Sequence, residues 1–173
     1  MRMSGIVYRA MKSDEEKKMR KVRVLTTILI AMLIAVTMIG CGSTASIDIN
    51  ALAGDLNSKI QYEDSLETLD ADIASNFINL SGFTYNAGAF FEGSGATAEE
   101  IVVLECATKD DATRAGEALN QRVSEQIESF TDYVPAELEK LNRAVVVVKG
   151  NYAILSVSND PDGARQIIDG YLK

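Results

Sequence analysis

Residues 144–157 read Ala-Val-Val-Val-Val-Lys-Gly-Asn-Tyr-Ala-Ile-Leu-Ser-Val, two apolar runs of strand length on either side of Lys149-Gly150-Asn151. Gly and Asn tolerate positive φ, so the three residues read as hairpin chemistry, joining a strand over 144–148 to one over 152–157. Downstream, Asp160-Pro161 supplies a helix cap and a first-turn proline, and Ala164, Ile167, Ile168, Tyr171 and Leu172 then fall on one helical face. Upstream, Pro135 opens a short helix over 136–142. Before it, Asp110 or Asp111 caps a long helix in which Ala112, Ala115, Leu119, Val123, Ile127 and Phe130 recur at steps of three and four residues. Such spacing keeps all six on one stripe, the pattern of a helix packed on a sheet.

The same logic extends to the start of the domain. Residues 101–108 alternate as a strand, with Val102, Leu104 and Cys106 on one face, and residues 83–92 form another that ends at Gly93-Ser94-Gly95. Phe83, Tyr85 and Phe91 alternate onto one side of that strand and Phe90 onto the other. Residues 49–59 read as an amphipathic helix carrying Leu52 and Leu56, and the spacing of Leu66, Leu69, Ile73, Phe77 and Leu80 predicts a second over 61–82. The expectation is therefore an α+β domain: a mainly antiparallel four-stranded sheet made of two ββα units, with helices on one face, preceded by N-terminal helices. The uncovered face of such a sheet is the expected interaction surface.

Charge separates this domain from what precedes it. Residues 1–40 hold 8 Lys+Arg and 3 Asp+Glu, whereas residues 41–173 hold 9 and 22. Arg20, Lys21 and Arg23 directly precede the uncharged run 24–40, VLTTILIAMLIAVTMIG. A basic region followed by an apolar one is signal-peptide organisation. At 17 residues the run sits at the lower limit for a membrane-spanning helix, the competing reading. Met38-Ile39-Gly40-Cys41 resembles the lipobox of bacterial lipoprotein precursors, although Met38 and Ile39 depart from its commonest residues. That resemblance implies a diacylglyceryl thioether on Cys41, which becomes the mature N-terminus. Gly42-Ser43-Thr44-Ala45-Ser46 then reads as a flexible tether. The expected organisation is a lipoprotein signal peptide over 1–40, a lipidated tether over 41–47 and a single domain over 48–173. Met11 and Met19 each give a more usual signal length, so 1–18 is set aside from the fold.

Tyr133-Val134-Pro135-Ala136-Glu137, Asn142-Arg143-Ala144-Val145, Lys149-Gly150-Asn151-Tyr152 and Val157-Ser158-Asn159-Asp160, with the strand opening Ala98-Glu99-Glu100-Ile101-Val102, resemble a family of small bacterial lipoproteins that carry an extracytoplasmic domain of unknown function. The resemblance spans about residues 50–172 and implies fold and location, carrying over no catalytic or binding residue.

Composition removes whole classes of chemistry. The chain has no His, which excludes imidazole acid/base catalysis, His-activated nucleophiles and His-containing zinc sites. Two Cys cannot form a four-thiolate site; with Cys41 lipidated, Cys106 is a lone thiol on an apolar strand face. An EF-hand reading of Asp160-Pro161-Asp162-Gly163 fails, since position twelve from Ser158 is Asp169 and a strand precedes the loop. Glu63, Asp64, Glu67, Asp70 and Asp72 read as a solvated acidic helix face. The acidic balance argues against nucleic acid. The residues point to no catalytic residue, cofactor or metal, and to lipid attachment at Cys41. The expected function is a non-enzymatic binding or interaction module, anchored by lipid at the outer face of the cell membrane and serving an envelope protein or a small ligand. The alternative is a cell-envelope enzyme using Asp/Glu carboxylates on a glycan.

Overall fold

A computed structural model describes residues 46–173. Cys41, the expected signal segment and most of the tether lie outside the described residues. The first helix, α1 (Ile49–Lys59), starts where the sequence indicates, because the Asp48 carboxylate accepts from the Asn50 and Ala51 amides. Beyond it the predicted helix over 61–82 does not form. Its place is taken by a short strand β1 (Glu67–Leu69), one helical turn α2 (Ala71–Ala74) and a 3-10 turn at Leu80–Gly82. The reason is competition for backbone groups: Asp64 accepts from the Ser65 amide, the Ser75 hydroxyl donates to the Asp72 carbonyl and Asn79 accepts from Ser81. These local bonds offer the chain an alternative to the helical ladder.

Strands β2 (Tyr85–Glu92) and β3 (Glu100–Cys106) follow, then the long helix α3 (Lys109–Tyr133). The cap of α3 is Thr108, not Asp110 or Asp111: its hydroxyl accepts from the Asp111 amide at 3.0 Å and donates to the Asp111 carboxylate at 2.6 Å. A 3-10 turn at Pro135–Glu137 leads into α4 (Leu138–Asn142), then β4 (Val145–Lys149), β5 (Tyr152–Val157) and α5 (Pro161–Tyr171). Gly150 takes φ 62° in the two-residue hairpin, the conformation its lack of a Cβ permits. Asp160 caps α5 by accepting from the Gly163 amide at 2.9 Å.

The domain is α+β, and its sheet is antiparallel throughout, in the order β1-β2-β3-β5-β4. It has five strands where the sequence reading gives four, because β1 pairs Glu67 to Leu69 against Glu92 to Phe90. The larger correction concerns the faces. Val102, Leu104, Cys106, Ala153, Leu155 and Phe90 meet Ala112, Ala115, Leu119 and Phe130 of α3. On the opposite face Ala89, Ile101, Val103, Val145, Tyr152 and Ile154 meet α1 through Leu52 and Leu56, and α5 through Ala164 and Ile168. Helices thus cover both faces, and the uncovered face expected as an interaction surface does not exist. Strands buried on both sides read as unbroken apolar runs, and β5 is buried at every one of its positions.

A bulge between Tyr85 and Ala87 also reverses the alternation of β2. Phe83 and Tyr85 accordingly share the α3 face with Phe90, and Phe91 turns to the other.

Candidate functional site

Polar side chains gather at the end of the sheet where β2 and β5 finish and β3 begins. Lys140, only 4% exposed, extends from α4 into three carboxylates: Glu137 at 3.0 Å, Glu63 at 3.2 Å and Glu99 at 3.3 Å. Glu99 is wholly buried, and both of its oxygens accept from backbone, at 3.0–3.1 Å from the Glu63 amide and 3.0 Å from that of Asp64. Glu137 accepts from the Ala98 amide at 2.8 Å. A charge taken out of water is tolerated only when paired and hydrogen-bonded, and both conditions are met here. Burial pushes the Lys140 ammonium toward neutrality, but the bonds to Glu137 and Glu63 and the Glu99 charge outweigh it, so its pKa stands above the ordinary value.

A second cluster lies beside it. Arg122 of α3 donates to Glu92 at 2.9 Å and to Glu100 at 3.1 Å, residues that face each other across β2 and β3, and its guanidinium sits 4.5 Å from the Phe77 ring centre. Burial raises the Glu100 carboxyl to about 7, with Arg122 opposing the shift and Glu92 adding to it. A carboxyl raised toward neutrality is the raw material of acid/base chemistry. Glu100, however, is 1% exposed and its partner Arg122 is committed to both Glu92 and Glu100, so a polymeric substrate has no approach to it.

Beside the Lys140 cluster runs a groove of about 620 Å³ lined by Lys59, Gln61, Tyr62, Glu63, Asn159 and Asp160. Glu63 lines it and ties it to the Lys140 cluster, accepting from Asn159 at 2.6 Å as well as from Lys140. The Asn159 amide first, then Lys140, holds the Glu63 carboxyl below its usual range. A second groove of about 510 Å³ lies between α1 and α5, lined by Asp55, Lys59, Ile167 and Tyr171, where Asp55 accepts from both Lys59 and Tyr171.

A family model described as Domain of unknown function (DUF4358) matches residues 62–158. The chain belongs to that family. No curated protein and no solved structure matches the chain. The matched DUF4358 span holds all five strands, α3 and both buried clusters; α1 and α5, which cover the second face, flank it.

Several residues singled out in the sequence fall elsewhere than expected. The acidic group 63–72 is not a helix face: Glu63 is exposed yet pairs with Lys140, Asp64 accepts from the Ser94 amide and hydroxyl at 2.6 Å, and Glu67 stands in β1. Cys106 is a buried free thiol, pushed up to about 11 by burial and by the Asp111 charge. Asp160 and Gly163 are cap and first turn of α5. Among the described residues no three His, Cys, Asp or Glu are arranged to hold a metal ion. Glu92, Glu99, Glu100, Arg122, Glu137 and Lys140 escaped the sequence reading. Their one local signal is the charged Glu99-Glu100 pair set directly before an apolar strand.

Proposed function

We propose that this DUF4358 chain is an extracytoplasmic lipoprotein, held at the outer face of the cell membrane by acyl chains on Cys41, and that its domain is a non-enzymatic interaction module of the cell envelope. The observation that carries the reading is the order of the N-terminal segments: Arg20 to Arg23, the apolar run 24–40, Gly40-Cys41, a small polar stretch, then the domain. Two acyl chains on one residue meet the requirement of more than one chain for stable anchoring. The fold begins with Asp48 capping α1, so a tether of about seven residues reaches roughly 24 Å at most and keeps the domain near the bilayer.

The Ile47 amide donates to the Tyr152 hydroxyl at 3.1 Å, which brings the tether in at the hairpin end of the sheet. The charged end lies at the opposite end of the same strands. A non-enzymatic role is supported by the carboxylates themselves. Those that gather are bound to Lys140, Arg122 and backbone amides, which favours a structural role for them.

The test is metabolic labelling of the full chain with a clickable fatty acid in a bacterial host, beside the Cys41→Ala chain. Label on the first and none on the second is the expected result. Equal labelling of the two, or an unmodified Cys41 by mass spectrometry of the mature protein, overturns the anchor.

A further inference from the structure

The sheet ends in an open edge. β4 pairs with β5 alone, and the other faces of its residues are held by α3 and α5. Gly150 is at positive φ and Asn151 is not, the signature of a type II′ two-residue hairpin closed by the hydrogen-bonded pair Lys149 and Tyr152. Pairing alternates from there, so Val145, Val147 and Lys149 direct their peptide groups to β5, while Val146 and Val148 direct theirs away from the sheet. Among the described residues no backbone bond outside the ladder engages Val146 or Val148.

Two cations stand along this edge of an acidic domain. Residues 41–173 carry 9 Lys+Arg against 22 Asp+Glu. Lys59, Arg114, Arg122 and Lys140 are spent on ion pairs within the domain. Arg143 and Lys149, both exposed and six positions apart, bracket β4 and take part in no ion pair among the described residues. Between them stand four valines, with Val148 exposed and Val146 and Val147 half-buried. A second copy offers this edge no charge match: antiparallel pairing about Val147 sets Lys149 opposite Val145 and brings together two acidic domains.

We propose that the β4 edge takes up an extended polypeptide segment as a sixth strand, the segment having an apolar core with an acidic residue at each end to meet Arg143 and Lys149. Main-chain bonds to Val146 and Val148 supply the affinity and the two cations the selection, as in other cases of strand addition. This names the partner class for the interaction module proposed above and rests on that reading, while its own test does not depend on the anchor.

The experiment uses the full chain in detergent micelles and fluorescein-labelled heptapeptides of alternating valine and threonine, closed at both ends by glutamate or by lysine. Anisotropy is expected to show saturable binding of the glutamate peptide and about tenfold weaker binding of the lysine peptide, as befits two exposed ion pairs. The double variant Arg143→Glu with Lys149→Glu reverses that order. Val148→Pro, which removes an outward amide at an edge position that tolerates proline, weakens both peptides. Equal affinity for the two peptides, no saturable binding of either, or an unchanged order in the charge-reversed chain overturns the proposal. A dimer of the full chain that Val148→Pro dissolves does so too, since the edge then belongs to a second copy. An unlipidated chain that still prefers the glutamate peptide refutes the anchor alone. A lipidated chain indifferent to both refutes the edge alone.

Discussion

Replacing Glu100 by glutamine tests whether burial, rather than ion pairing, governs the charged end of the sheet. Glu100 carries a folded-state pKa of about 7 against an ordinary value of 4.5. A raised carboxyl pKa means that the folded protein holds the proton more tightly than the unfolded chain. Its contribution is therefore complete below pH 4.5 and is lost as the pH rises through about 7. At about 1.4 kcal/mol per pH unit the loss amounts to about 3 kcal/mol. The window is clean because the chain has no His. The shifts on Asp55, Glu63, Asp64 and Asp111 are downward and act below it. Those on Cys106, Lys140 and Tyr171 lie on groups that titrate above it. Urea unfolding of the full chain, followed by circular dichroism at half-unit steps from pH 4.5 to 8, is expected to show stability falling with pH. In Glu100→Gln that fall flattens, since the amide has the shape of the protonated acid and Arg122 keeps Glu92. Superimposable slopes for the two chains refute the reasoning.

Lys140→Met leaves the buried Glu99 and Glu137 without their cation and is expected to cost about 3–5 kcal/mol in the same urea assay; a loss below about 1 kcal/mol contradicts the pairing. At Gly116 an added Cβ collides with the Val148 side chain, so Gly116→Ala is expected to destabilise by about 1–3 kcal/mol and to shift the β4 amide resonances first. In the Cys41→Ala chain, Cys106 is expected to resist a thiol-reactive dye at pH 8 until denaturant is added, being buried with its pKa raised to about 11. Rapid native labelling speaks against that burial.

Elements with one decisive local feature were legible in the sequence. The hairpin had Gly150-Asn151 between apolar runs, α1 had an amphipathic stripe, α5 had an amphipathic stripe and an Asp cap, and α3 had its stripe of Ala112, Ala115 and Leu119. What failed depended on partners distant in the chain. β1 is three residues long and exists by pairing with β2, some 20 positions away. The bulge at Tyr85 reverses one strand face without a residue type that announces it. Helices on both faces had a signal that the sequence reading passed over: a one-sided strand alternates apolar and polar residues, whereas β3 and β5 are nearly unbroken apolar runs. The buried clusters were illegible for a simpler reason: Glu63, Glu99 and Lys140 are brought together only by the tertiary fold, and each alone resembles a surface charge.

The polar clusters resolve a problem that the two-sided sheet creates. In β3, Ile101 and Val103 face α1, and Val102 and Leu104 face α3. Sliding the strand by one residue exchanges the two sets, and because both are aliphatic the hydrophobic penalty that normally fixes register is small. The residues just before the run are not interchangeable. Glu99 must meet the Glu63 and Asp64 amides and Lys140, and Glu100 must meet Arg122. A slip of one position moves each carboxylate by about 3.3 Å onto the wrong face and strands the backbone donors that Glu99 satisfies. The clusters therefore set the register that the apolar pattern leaves open, even where they add little net stability. Glu99→Leu is expected to yield two slowly exchanging sets of amide resonances for residues 101–104 and for the β5 residues paired with them in the full chain, alongside a single set for β4, which does not pair with β3. One set throughout, with stability lowered evenly across the sheet, places the register with the helices instead.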